Sequence, residues 1–87
     1  DSASKSTVKA LAAHLGTAGA LAYAKQKADG VSAALPTCTA LNATTYMSAL
    51  IDTGTYSIGS GTANGNTYCT VSLVTNSAIT ASSPLPY

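Results

Sequence analysis

Residues 4–30 read SKSTVKALAAHLGTAGALAYAKQKADG, and this stretch constrains the fold more than any other. At about 100° per residue, Val8, Leu11, Leu15, Ala18 and Ala22 fall on one stripe, which predicts a helix over about 4–29. Asp29-Gly30 ends it, with Gly30 suited to a left-handed cap. The opposite side carries Ala13, Gly16, Thr17, Ala20 and Ala24, with Lys9 and Lys27 at its ends. A solvated helix normally shows Glu and Lys there, yet this segment contains no Glu. Small side chains permit close approach of a second backbone, so this side reads as a second packing face. An alanine-rich helix of high propensity, with an outer face under little constraint, is the plain alternative.

The remaining chain is too short to cover that helix twice. Eighty-seven residues support one domain, 1–87. A chain of this size buries only a little over 60% of its unfolded surface, so a covalent staple matters. Cys38 and Cys69 allow a single pairing. Closing a loop of about 30 residues is worth roughly 3–4 kcal/mol in the loop-entropy treatment. A structural disulfide in turn implies a periplasmic or extracellular compartment. Two buried free thiols in a cytosolic protein are the alternative.

Charged residues make up 8% of the chain and the net charge is +1, too weak for an electrostatic nucleic-acid binder. Lys5, Lys9, Lys25 and Lys27 all lie in the first helix, and beyond Gly30 the only charged side chain is Asp52. Serine, threonine and asparagine must keep the rest soluble, as expected of an extracellular sheet. No apolar run approaches the roughly 20 residues of a membrane span, and no signal peptide is visible. A chain starting at Asp1 is expected to be a processed or trimmed product.

Downstream, residues 30–52 read as a connector with a short helix. Leu35-Pro36 disfavours helix, and Asn42 or Thr45 offers a cap for a helical turn through Tyr46, Met47, Leu50 and Ile51. A small antiparallel sheet is predicted over about 53–81. Thr55–Ile58 alternates as a strand, Gly59–Asn66 reads as a glycine-rich connection, and Asn64-Gly65 is a tight-turn signal. Thr67–Val74 alternates along its length, with Cys69, Val71 and Leu73 on one face. Asn76-Ser77 reads as a turn, Ala78–Ala81 as a weak third strand, and Pro84 and Pro86 as barriers to further pairing. The expected class is α+β: one long helix packed on about three strands, with one disulfide.

The chain resembles the type IV pilin and pseudopilin family. The stretch Asp1-Ser2-Ala3-Ser4-Lys5-Ser6-Thr7-Val8-Lys9-Ala10-Leu11 is similar to the continuation of pilin helices beyond their hydrophobic segment. The small-residue run Leu15–Tyr23, the step Ala20-Leu21-Ala22-Tyr23-Ala24, a first cysteine at Cys38 and the strand Tyr68-Cys69-Thr70-Val71 look like that family as well. The resemblance covers most of the chain, in order and helix text rather than in a unique signature. It implies that a cleaved leader, a methylated aromatic residue, a nearby glutamate and an apolar segment of about 25 residues precede Asp1. It also implies a subunit held in the inner membrane and then assembled into an extracellular filament for adhesion, motility or uptake. Its partners would be copies of itself, other pilins and the inner-membrane assembly machinery, with no cofactor. Val8, Leu11, Leu15, Ala18 and Ala22 would pack on the subunit's own sheet, and Ala13, Gly16, Thr17, Ala20 and Ala24 on neighbouring subunits. A type II secretion pseudopilin is the alternative within the family.

Other functions find less support. His14 is the only histidine, Asp1, Asp29 and Asp52 are scattered, and no G-x-S-x-G elbow is present, so no enzyme is expected. Gly59-Ser60-Gly61 lacks the lysine of a phosphate loop. With Asp52 the sole late carboxylate, Asn64 and Asn66 would make a poor calcium site, and no metal is expected. Asn42-Ala43-Thr44 matches a glycosylation sequon, read as chance in a bacterial chain. Tyr23, Tyr46, Tyr56, Tyr68 and Tyr87 read as packing residues more than as contacts for a ligand. A small secreted disulfide-stapled binding module is the competing class.

Overall fold

The computed structural model describes residues 2–30 and 35–87. Helix α1 (Ser2–Asp29) is followed by one short turn of helix, α2 (Cys38–Leu41), and by strands β1 (Tyr56–Ala63), β2 (Asn66–Leu73) and β3 (Asn76–Pro84). The strands form an antiparallel meander in the order β1-β2-β3, and α1 lies across one face of β2 and β3. The class is therefore α+β with a single disulfide. At about 1.5 Å per residue the 28 residues of α1 span about 42 Å, close to the molecule's longest dimension of 44 Å. Gly30, at φ 66°, closes the helix by donating its N–H to the Lys27 carbonyl.

Val8, Ala12, Leu15, Ala18 and Ala22 are buried on α1, and Leu11 is half-buried against them. The buried arc is centred about 30° away from the expected stripe, toward Ala12, Gly16 and Gly19. Glycine makes that rotation possible. A Cβ at Gly19 would overlap the Leu85 side chain and come within 3.5 Å of Leu41, and a Cβ at Gly16 would overlap the Ser83 hydroxyl. Gly16 thus does not belong with the outward residues assigned to it from sequence. It is half-buried on β3, because β3 flanks the helix on that side.

The connector differs from expectation. Residues 31–34 lie outside the described residues, as does Asp1. The short helix forms earlier, at Cys38–Leu41, where the Thr37 hydroxyl caps it by accepting from the Ala40 N–H at 3.3 Å. Asn42 ends this turn rather than starting another. Its amide accepts from the Ile51 N–H at 2.8 Å and donates to the Ile51 carbonyl at 3.1 Å, pinning both ends of a loop. Downstream, Tyr46 and Met47 both donate their N–H groups to the Ala43 carbonyl, which makes a single turn that is not continued as a helix. Met47 and Ile51 still reach the core, while Leu50 stays outside.

The sheet starts at Tyr56, later than expected, but β1 and β3 both run further along the chain than expected. Gly59–Ala63 belongs to β1, paired with β2 from Tyr56↔Leu73 to Ala63↔Asn66. Gly61 is in the strand because Tyr68 opposite lays its ring over the space a side chain would fill. Asn64 and Gly65, both at positive φ (53° and 82°), make the two-residue hairpin turn. The second turn falls at Val74–Thr75, not Asn76-Ser77, with a register shift at Ser72/Leu73. Pro84 is the last residue of β3, and pairing continues past it: Leu85 donates to the Thr67 carbonyl and Thr67 donates to the Tyr87 carbonyl. N–H direction alternates along a strand, so Pro84 and Pro86 both sit where the missing N–H would point away from β2.

Cys69 and Val71 on β2, with Ile79 and Leu85 from the last segment, complete the core under α1. Cys38 is bonded to Cys69, both fully buried, which ties α2 to the central strand. The pairing closes a loop of sequence separation 31, so its reduction is expected to cost about 4 kcal/mol, read as a fall in the urea midpoint on adding reductant. Gly19→Val is expected to lower stability by about 2–3 kcal/mol in the same measurement, since its side chain must displace Leu85 from a filled core.

Candidate functional site

The side of α1 turned away from the sheet is the candidate site. Ala13, Thr17, Ala20 and Ala24 are exposed there, joined by Ala10 and by Leu21, which is 49% exposed. Thr17 donates its hydroxyl to the Ala13 carbonyl at 3.1 Å, which leaves its methyl as the remaining outward group. From Ala10 to Ala24 the helix carries no formal charge, and its lysines lie on either side of that stretch. The result is a smooth, weakly apolar strip about four turns long. The five residues assigned to helix–sheet packing lie on the other side, four of them buried and Leu11 half-buried.

One flank of this strip is bordered by the connector. His14 and Thr17 line a shallow groove of about 200 Å³ with Tyr46, Met47, Ser48 and Ala49. His14 faces no carboxylate in this lining, so the groove lacks the paired groups of a proton-transfer site. Among the described residues no group of three or more His, Cys, Asp or Glu side chains is placed to hold a metal ion. Asp52 is exposed and committed to local structure. Its carboxylate accepts from the Gly54 N–H at 3.0 Å and the Thr55 hydroxyl at 2.8 Å, and the latter chiefly lowers its pKa. Its carbonyl accepts from Tyr56 N–H at 2.9 Å and launches β1.

The end of the chain forms a fixed corner not expected from sequence. The Tyr87 ring stacks on Tyr23 of α1 at 6.1 Å between centroids, and Lys27 places its Nζ 5.4 Å from the Tyr23 ring centre. The Tyr87 hydroxyl donates to the Pro36 carbonyl at 2.8 Å, joining the helix, the connector and β2. Only its position after two prolines, with aromatic residues elsewhere, hinted at this. Gly19 and Ala12 were also missed, because a stripe defined by large residues overlooks positions that matter by being small.

Among the described residues no helix is long and apolar enough to cross a membrane. Compared with known protein families, with curated proteins and with solved structures, the chain matches none.

Burial chiefly, and the nearby Tyr46 phenol second, raise the Tyr87 pKa above its ordinary value of 10.0. A raised acid pKa favours the neutral form in the fold, so this contribution is full below the unfolded pKa and is lost as pH rises through the folded one. Stability is therefore expected to fall above about pH 10, and Tyr87→Phe is expected to be less stable at pH 7 but to show a shallower alkaline loss. Equal alkaline slopes in chemical denaturation of both proteins would remove Tyr87 from this role.

Proposed function

We propose that this chain is the globular part of a type IV pilin-like subunit, polymerised through its long helix into an extracellular filament. The observation that carries this reading is the uncharged outer strip of α1 between Ala10 and Ala24. A helix that already covers its own sheet with one side has no internal use for a second charge-free side. Lateral packing against helices of neighbouring copies gives it one, since small residues let backbones approach closely. The disulfide between α2 and the central strand fits an oxidising compartment and resistance to unfolding under load. Within this reading Ala13, Thr17, Ala20 and Ala24, with Leu21, meet neighbouring subunits, and Gly16 serves the subunit's own sheet.

Ala20→Arg places a charge at the centre of the strip without touching the core. The variant is expected to melt within a few degrees of the parent chain, because surface substitutions usually change stability by under about 0.5 kcal/mol. Filament formation in cells should be abolished. N-terminal sequencing and intact mass of the native protein from sheared surface material complete the test. A methylated aromatic start and an apolar segment running into Asp1 are expected. Normal filaments from the variant, or a mature chain starting near Asp1 after an ordinary secretory signal, would refute the filament reading and leave a secreted binding module.

A further inference from the structure

The two outer edges of the sheet are treated very differently. At the β3 edge Pro84 and Pro86 remove two outward N–H groups, and the register slips at Ser72/Leu73. These are the devices by which sheets prevent edge pairing. Strand β1, YSIGSGTA, has none of them: no proline, no charge, and an unbroken register over eight residues.

The hairpin geometry identifies which backbone groups β1 leaves open. With a two-residue turn at Asn64-Gly65, Ala63 and Asn66 exchange hydrogen bonds, and so in alternation do Gly61↔Tyr68, Gly59↔Thr70 and Ser57↔Ser72. The N–H and C=O groups of Tyr56, Ile58, Ser60 and Thr62 therefore point outward. Tyr56 N–H is taken by Asp52, and none of the described hydrogen bonds reaches the outward groups of Ile58, Ser60 or Thr62. Beside these residues runs a trough of about 480 Å³, lined by Ser60, Gly61 and Thr62, by Leu35, Pro36 and Thr37 of the connector, and by Tyr87. None of the lining side chains is charged.

We infer that the β1 edge is an interface for a second copy of this chain, paired antiparallel about a two-fold axis at Ser60. Only a strand satisfies a row of alternating donors and acceptors, and a two-fold contact requires a surface complementary to itself. This strand meets the requirement. With Ser60 opposite Ser60, Ile58 of each copy falls opposite Thr62 of the other. All three outward residues then exchange backbone bonds across the axis. The same register brings Ile58, a half-buried apolar side chain on the helix-facing side, against the other copy's trough. No like charges meet, because β1 has none. The contact lies on the sheet edge, away from the outer strip of α1, and does not depend on the filament reading.

The test is sedimentation equilibrium of the 87-residue chain from about 10 µM to about 1 mM, the range of weak small interfaces, with amide exchange read at each concentration. The apparent mass is expected to rise from 8.6 kDa toward twice that value, with Ile58, Ser60 and Thr62 amides becoming protected together. Ser60→Pro removes the donor on the axis at an edge position that tolerates proline, and is expected to weaken the dimer at least about 10-fold. Should that variant fold poorly, Ser60→Lys keeps the backbone intact, sets like charges face to face, and should dissociate the dimer at low salt with recovery at about 1 M salt. A chain monomeric at every concentration would overturn the inference. So would a dimer insensitive to both variants, a dimer lost instead in Ala20→Arg, or a monomer whose β1 amides are protected only by an added uncharged peptide.

Discussion

Helix α1 approaches the end of β3 and the residue that follows it closely because Gly16 and Gly19 present no side chains there. Ser83 and Leu85 occupy the space those side chains would have taken. This contact sets the rotation of the helix, and the rotation determines everything placed around it. It brings Val8, Ala12, Leu15, Ala18 and Ala22 over Cys69 and Val71, and it leaves Ala13, Thr17, Ala20 and Ala24 outside. Two helical glycines cost roughly 1 kcal/mol each relative to alanine, so their presence in an otherwise alanine-rich helix marks a packing requirement.

The second half of the chain is held by three local clamps that share a logic. Asn42 fixes Ile51, Asp52 launches β1, and Tyr87 bonds the Pro36 carbonyl while stacking on Tyr23. Each satisfies backbone polar groups in a segment with little regular structure, where an unpaired group under cover would be costly. The disulfide joins the first of these segments to the central strand, so the connector is fixed at Cys38 as well as by Tyr87. A small domain with a modest core gains its rigidity from such ties.

The surfaces left over are of two kinds. The outer strip of α1 has no charge over four turns, and the outer edge of β1 has neither charge nor proline, in a chain whose charged groups number seven. The strip is convex and suits lateral packing of helices, whereas the edge presents directional backbone groups that only another strand completes. Association at one therefore leaves the other free.

The long helix, its end at Gly30, the pairing of Cys38 with Cys69 and the alternation of β2 were legible in the sequence because each depends on neighbours along the chain or on there being no second choice. The uncharged character of α1's outer side was legible for the same reason. Tertiary structure decided the rest. Gly16 faces inward because β3 lies on that flank, a relation between residues far apart in sequence. Gly59 to Ala63 form strand rather than loop because Tyr68 covers Gly61 from the paired strand. Pro84 ends a paired strand because the missing N–H happens to face away from β2. Periodicity along a chain fixes which residues share a face, but the angle at which that face meets its partner is set by the shape of both surfaces together.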